Sequence, residues 1–171
     1  MKTNDVQRKG QRKTGLDDKD RMLLRLLAKQ ADQSYSELAE QVHLSAPAVH
    51  ERVKRLKRDG VILGTIAKLD GGKIGCPLLT FVHVMTEGWG INEPILALRE
   101  LADVEEIHTA AGDACLILKV RTSGTESLED LLTTILAIKG VRSTQSYVAL
   151  RSYLERGPMP EDDFRRDAEN W

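Results

Sequence analysis

The fold of the first part of the chain is decided by residues 34–60, SYSELAEQVHLSAPAVHERVKRLKRDG. The stretch opens with the hydroxyl of Ser34 and a carboxylate three residues later, the spacing of a reciprocal helix cap. Ser45 is suited to cap a second helix, and Gly60 is suited to end it because glycine readily adopts a left-handed conformation. The stretch therefore predicts a short helix, a turn at residues 43–44 and a longer helix.

The longer helix has one apolar and one basic face. Val49, Val53 and Leu56 recur at helical spacing, which predicts that they face a core. The opposite face can bind phosphates, release counterions and bring its first residues to base edges. The alternative is that this basic face is an ordinary solvated helix surface without a binding role. The residues predicted to contact DNA are Ser45, Ala46, Pro47, His50, Glu51, Lys54, Arg55 and Arg58.

Different roles are expected along this face. His50 and Glu51 have side chains that exchange hydrogen bonds with base edges, whereas the basic residues after them are suited to phosphates. Arg52 lies beside the apolar face, so we expect it to form a structural ion pair with Asp17 or Asp20 of a preceding helix.

The segments on either side extend the prediction to a winged helix-turn-helix domain over residues 16–68. Leucines at helical spacing predict a first helix over residues 16–28. The β-rich segment 61–67 predicts a short strand or hairpin after the helices. Residues 1–15 are basic without an apolar period, which favours a disordered arm that is either solvated or in contact with nucleic-acid backbone.

The second half of the chain alternates between strand and helix patterns. After a linker at residues 69–76, it predicts the order β-α-β-β-α-β over residues 77–154, which is typical of a ferredoxin-like sandwich. The predicted elements are strands 79–86, 104–111, 115–121 and 141–150 and helices 92–101 and 125–138. Residues 155–171 are predicted to form a mobile tail. The expected fold class is therefore α+β.

Composition supports two modules with different partners. The 171 residues carry a net charge of −1, but residues 1–70 hold 15 Lys/Arg and 10 Asp/Glu, giving +5, and the remainder gives −6. A basic half favours a polyanion partner such as nucleic acid. No apolar run is long enough for a membrane span, the first 15 residues do not form a secretory signal, and the two cysteines lie far apart. We therefore expect a cytoplasmic protein without a disulfide scaffold or a metal site.

The motifs together resemble the Lrp/AsnC (feast/famine) transcriptional regulators. The resemblance implies a DNA-binding domain followed by a sensing module of the RAM type. It also implies a homodimer formed through the sensing modules, often assembled into tetramers or octamers, that binds nearly palindromic operators and responds to amino acids. Neither catalysis nor a cofactor is expected. The motifs that carry it are residues 16–20 (LDDKD), 36–39 (SELA), 44–45 (LS), 51–56 (ERVKRL) and 59–62 (DGVI).

The predicted effector site departs from the family pattern. The resemblance implies a pocket formed by Gly112, Asp113, Cys115, Leu116 and Tyr147. The family's sensing turn has an aromatic residue and an acid where this chain has Ala114 and Cys115. That acid helps to hold the amino group of the ligand, so three outcomes stay open: an altered ligand, no ligand, or Cys115 as a redox or metal sensor.

Further alternatives concern single residues and the whole function. Tyr147 is as well suited to a core or interface position as to the pocket, and Trp89 is suited to an oligomer interface or a loop anchor. The family usually has glycine where this chain has His43, a position that often needs a positive φ. Sirohaem decarboxylases resemble the same two-module fold, and a sensing module without DNA binding is a third reading. Neither explains the basic helix face.

Overall fold

A computed structural model describes residues 15–87 and 92–160, and it divides into two compact units. The first contains the residues up to Ile66 together with those from Glu155 on, and the second spans Ala67–Leu154. Residues 1–14 of the predicted arm, Trp89 and residues 161–171 of the predicted tail lie outside the described residues. Within the described ranges, every helix is too short or too polar to cross a lipid bilayer.

Three helices build the first unit: α1 (Asp18–Lys29), α2 (Tyr35–Val42) and α3 (Ala46–Arg58). Asp17 and Asp20 cap the start of α1 reciprocally, so this helix begins two residues later than predicted. The predicted reciprocal cap of α2 by Ser34 and Glu37 is confirmed, as is the cap of α3 by Ser45. These caps satisfy backbone N–H groups that have no partner within a helix.

His43 forms the tight turn between α2 and α3. Its φ of 52° places it in the left-handed region, and its N–H donates to the carbonyls of Ala39 and Glu40. The expectation that this position needs a positive φ is therefore confirmed. Histidine adopts this conformation less readily than glycine, yet the turn keeps its form.

The three helices pack around a small apolar core. Ile62 packs against this core from beyond α3. The strand or hairpin predicted at residues 61–67 is wrong, because the segment forms no strand and the side chains of Leu63 and Ile66 are exposed. A β-rich segment needs a partner strand to form a ladder, and residues 61–67 pair with no strand in the described part of the chain. The buried core residues are Leu23, Leu38, Ala39, Val42, Val49 and Val53.

The second unit has the predicted β-α-β-β-α-β order. Its sheet runs β2-β3-β1-β4, and every neighbouring pair is antiparallel. The two central strands are therefore the first and third in the chain, which confirms the ferredoxin-like arrangement. The elements are β1 (Leu78–Thr86), α4 (Asn92–Arg99), β2 (Val104–Thr109), β3 (Leu116–Thr122), α5 (Thr125–Ala137) and β4 (Val141–Val148).

The two faces of the sheet differ. Val82 and Val84 of β1 pair with Leu118 and Leu116 of β3, and all four are buried in the core formed with the helices. The alternate positions form the other face, which we call the open sheet face. Its members on the central strands and β4 are Leu79, Phe81, His83, Met85, Ile117, Lys119, Arg121, Ser143, Gln145 and Tyr147.

A compact turn precedes the sheet within the predicted linker 69–76. The Asp70 carboxylate accepts from the N–H of Gly72, and the N–H of Cys76 donates to the carbonyl of Gly71. A Cβ on Gly71 would lie 2.7 Å from the backbone carbonyl oxygen of Cys76 and equally close to Cδ of Arg121. Glycine is therefore required for this close approach, which fixes the turn on the second unit.

Candidate nucleic-acid interface and effector site

The predicted outer face of α3 is exposed. Pro47, Glu51, Lys54 and Arg58 follow one another at intervals of three or four residues, which places them on one stripe of the helix. His50 lies beside Glu51 at the edge of this stripe, and all five side chains are exposed. Val49, Val53 and Leu56 on the opposite side are buried. The helix thus presents a continuous polar and basic stripe to solvent, while its opposite side packs against the core.

Four of the predicted DNA contacts also make interactions within the first unit. The Ser45 hydroxyl accepts from the N–H of Ala48, and Ala46 is partly buried against the core. Arg55 donates from Nη2 to the Asp20 carboxylate, so part of its guanidinium is committed inside the domain. Arg58 has a side chain 74% exposed and donates from Nε to Asp59 at 3.1 Å.

An ion cluster joins α1 to α3. Nη1 of Arg52 lies 2.6 Å from Asp17 and 2.9 Å from Asp20, and Arg55 donates to the second oxygen of Asp20. The side chain of Asp20 is only 1% exposed. The expected ion pair of Arg52 is therefore confirmed, and one buried carboxylate holds two arginines of α3.

Hydrogen bonding in this cluster favours its charged forms. Burial alone would raise the pKa of Asp17, but hydrogen bonds from the Asp20 backbone amide and the Arg52 guanidinium outweigh it and hold that pKa below its ordinary value of 3.8. Because the pKa is lowered in the folded state, the stabilisation from Asp17 is present at higher pH. It is lost as the pH falls below about 4 and through the lowered pKa.

Sequence reasoning missed one contact beside the predicted base-contacting residues. The ring of Tyr35, the first residue of α2, lies edge-on to the imidazole of His50, with 5.2 Å between the ring centroids. Nδ1 of His50 also lies 3.4 Å from a carboxylate oxygen of Glu51. No helical periodicity within α3 could have indicated a partner on another helix.

The predicted sensing turn connects β2 to β3 and is exposed at Gly112 and Asp113. Cys115 closes it, because its N–H donates to the carbonyl of Val84 and its carbonyl accepts from the N–H of Ala110. Ala114, at the position of the family's aromatic residue, is buried. The exposed part of the turn can therefore offer backbone N–H groups to an anion.

The thiol of Cys115 is held by Thr86 at the end of β1. Hydrogen bonds with the side chain and backbone of Thr86 lower the pKa of the Cys115 thiol below its ordinary value of 9.0. A lowered pKa increases the thiolate fraction near neutral pH. The acid of the family pattern is thus replaced by a partly exposed, hydrogen-bonded thiol.

The other two predicted effector residues do not face the exposed part of this turn. Leu116 is completely buried in the core. Tyr147 pairs with Phe81 on β1 and contacts His83, with 4.8 Å between the ring centroids. Phe81 precedes Val84, the residue bonded to the turn, by three positions, or about 10 Å along a strand. Within one protomer the turn and Tyr147 are therefore separate.

His83 and His108 lie on strands that are not neighbours in the sheet. Both pair with Ile117 on β3, which runs between them. Among the described residues there is no group of three or more His, Cys, Asp or Glu side chains placed to hold a metal ion.

A β-bulge organises a charged ladder that the sequence did not indicate. The register shifts between Val104 and Glu106, so both Glu105 and Glu106 reach Lys119, at 3.0 and 3.3 Å. The hydrogen bond from His108 to Glu106, together with Lys119, lowers the pKa of that carboxyl below its ordinary value of 4.5. A bulge and charged side chains on an edge strand discourage pairing with another chain.

Two family models match the two units in order. A winged helix-turn-helix DNA-binding domain matches residues 16–62, and an Lrp/AsnC ligand-binding domain matches residues 79–159. The chain is 33% identical over 146 residues to the HTH-type transcriptional regulator LrpA of Mycobacterium tuberculosis, covering 85% of this chain and 97% of that protein.

Solved structures agree with the sequence matches. The feast or famine regulatory protein of M. tuberculosis complexed with L-methionine superposes with a TM-score of 0.81 at 33% identity, covering 85% of this chain and 99% of that one. Escherichia coli AsnC superposes with a TM-score of 0.77 at 25% identity, covering 84% and 97%. With its basic α3 stripe and its ferredoxin-like second unit, the chain belongs to the Lrp/AsnC family and is a DNA-binding transcriptional regulator.

Proposed function

We propose that α3 enters the major groove of operator DNA, with Pro47, His50 and Glu51 at the base edges and Lys54 and Arg58 on the phosphates. The observation that carries this proposal is the exposed stripe on a helix whose other side is buried. The ion cluster around Asp20 supports it, because a recognition helix must be held rigidly to place side chains within hydrogen-bonding distance. Ala46 and Pro47 allow close approach of the helix start.

The test is selection from random-sequence duplexes by the full-length protein. We expect enrichment of nearly palindromic sequences and binding that weakens steeply with salt, because each neutralised phosphate releases counterions. Retention of all sequences equally, at any salt concentration, would contradict the proposal.

We further propose that the open sheet face is the homodimer interface. Phe81 and Tyr147 form a cross-strand pair on this face and are 39% and 47% exposed. Leu79, Met85 and Ile117 are further apolar members of this face, and its two basic members, Lys119 and Arg121, are paired with Glu105. A second copy packed on it would cover these side chains, as sheets pack face to face in sandwiches.

The substitution Phe81→Glu is expected to weaken the dimer by about 30-fold or more, because it places a charge in an apolar interface. Leu136→Glu is the matched control, since Leu136 is 48% exposed on α5, in the helical layer. Sedimentation velocity measures both. If the Phe81→Glu variant is as dimeric as the Leu136→Glu variant, the open sheet face is excluded as the dimer interface.

For the effector, we propose that the exposed turn at Gly112 and Asp113 binds a carboxylate through backbone N–H groups. The methionine complex of the M. tuberculosis relative supports an amino-acid ligand in this family. This chain lacks the acid that would hold the ligand's amino group, so its own ligand is one that does not need that contact.

The substitution Cys115→Asp is expected to produce or broaden an amino-acid response, because it restores a carboxylate beside the turn. Ligand at 100 times its dissociation constant stabilises a protein by about 2.7 kcal/mol, which a thermal-shift panel of amino acids detects. Cys115→Ser, which removes the thiol without adding charge, is the control. Equal responses from the aspartate variant and the parent would count against this assignment.

We propose that the chain acts with DNA in the cytoplasm and is not an enzyme. Curated relatives, including LrpA of M. tuberculosis and AsnC of Haemophilus influenzae, are named as transcriptional regulators or regulatory proteins. A decarboxylase on this fold has no use for the exposed basic stripe of α3, which a DNA-binding protein requires.

A further inference from the structure

Tyr35 restricts the imidazole of His50 from a different helix. The two rings meet edge-on at 70°, with centroids 5.2 Å apart. Aromatic pairs in this arrangement are favourable beyond the area that they bury. Tyr35 begins α2 and His50 lies one turn into α3, so the contact bridges the two helices close to the start of the exposed stripe.

Glu51 adds a second constraint on the same ring. Its carboxylate lies 3.4 Å from Nδ1 of His50. A carboxylate at that nitrogen favours the tautomer with the proton there, which leaves Nε2 for a base edge. The imidazole, whose side chain is 50% exposed, thus lies between two neighbours while half of it faces outward.

The Tyr35 ring contributes little to the apolar core of the first unit. It is 39% exposed and is not a member of the apolar core of the first unit, to which α2 contributes Leu38, Ala39 and Val42. We therefore expect the helices to stay packed when the ring is removed, which thermal unfolding of the variant checks. Among the described residues, the ring of Tyr35 contacts the exposed stripe of α3 through His50.

From this geometry we infer that Tyr35 is a specificity-determining residue that acts through His50. It holds the imidazole in the orientation in which Nε2 meets one base of the operator, and it is a positioning residue that need not contact DNA itself. The inference rests on the proposed function, because it requires that α3 reads bases.

The test compares sequence preference, not affinity alone, in the full-length protein. Wild type, Tyr35→Leu, Tyr35→Phe, His50→Ala and the Tyr35→Leu/His50→Ala double variant are measured on the selected operator and on operators changed at one base pair. Ser36→Ala, an exposed neighbour on α2, is the control for a general change at the helix start. Thermal unfolding of each variant accompanies the binding measurements.

We expect Tyr35→Leu to reduce the preference at one base position by about two- to tenfold, the range of an aromatic pair contact. Tyr35→Phe, which keeps the ring, should retain the preference, and Ser36→Ala should leave it unchanged. In the His50→Ala background, Tyr35→Leu should have no further effect on that position.

The failures of the two proposals are distinguishable. If wild type enriches no sequence, the proposed function fails and this inference fails with it. If wild type discriminates but Tyr35→Leu weakens all operators equally, or alters preference as strongly without His50 as with it, only the inference is overturned.

Discussion

Replacing Asp20 with alanine is expected to destabilise the first unit by about 2–4 kcal/mol, because a buried charge partner and a helix cap are lost together. The carboxylate is almost wholly buried and accepts from Arg52 and Arg55. Its removal takes away the carboxylate that Arg55 donates to and leaves Arg52 with Asp17 as its remaining partner in the cluster. The partial exposure of both arginines keeps the loss below the top of the range for fully buried pairs.

Hydrogen exchange of the α2 and α3 amides measures this effect in the intact chain, since it reports local opening of one unit. Asp18→Ala is the matched control: the same residue type in the same first turn, exposed, with an expected cost of about 0.5 kcal/mol. Asp20→Asn, which keeps the shape and removes the charge, should lie between them. Equal hydrogen-exchange rates of the α2 and α3 amides in the Asp20→Ala and Asp18→Ala variants would show that the ion cluster does not stabilise the packing of α3.

The paired substitution Lys54→Ala/Arg58→Ala is expected to weaken binding to every duplex by about 100-fold at low salt. Each lost phosphate contact should also reduce the slope of log K against log salt by about one. Both side chains are exposed on the stripe, so the fold should be unaffected. Fluorescence anisotropy at several salt concentrations gives affinity and slope together.

The control for this pair is Lys139→Ala, which removes one exposed positive charge from the second unit. It should leave both quantities nearly unchanged. His50→Ala should alter sequence preference while keeping the salt slope, because it loses a base contact and not a phosphate contact. An unchanged affinity and slope in the paired variant would remove α3 from the interface.

Local signals in the sequence predicted most of the fold. The caps at Ser34 and Ser45 act over three residues, and short apolar runs between turn signals indicated the strands of the second unit. The strand predicted at residues 61–67 was wrong because strand propensity does not indicate whether a partner strand exists. Helix α1 begins two residues later than the sequence predicted. Asp17 and Asp20 cap each other's backbone N–H groups, so Asp17 is the residue that precedes the helix.

The candidate site was less predictable because its decisive contacts are distant in sequence. Asp20 lies 35 residues from Arg55, and no periodicity within one helix indicates such a pair. The same holds for Tyr35 and His50. The separation of Tyr147 from the sensing turn follows from strand register, which a pattern of apolar residues does not give.

Footprinting of a selected operator by the wild-type protein and the Lys54→Ala/Arg58→Ala variant tests the central claim most directly. With two copies of α3 in a symmetric dimer, wild type should protect two half-sites separated by about one helical turn or a multiple of it. The variant should leave both half-sites unprotected at the same concentration and salt. Protection without paired half-sites, or equal protection by the variant, would contradict the account.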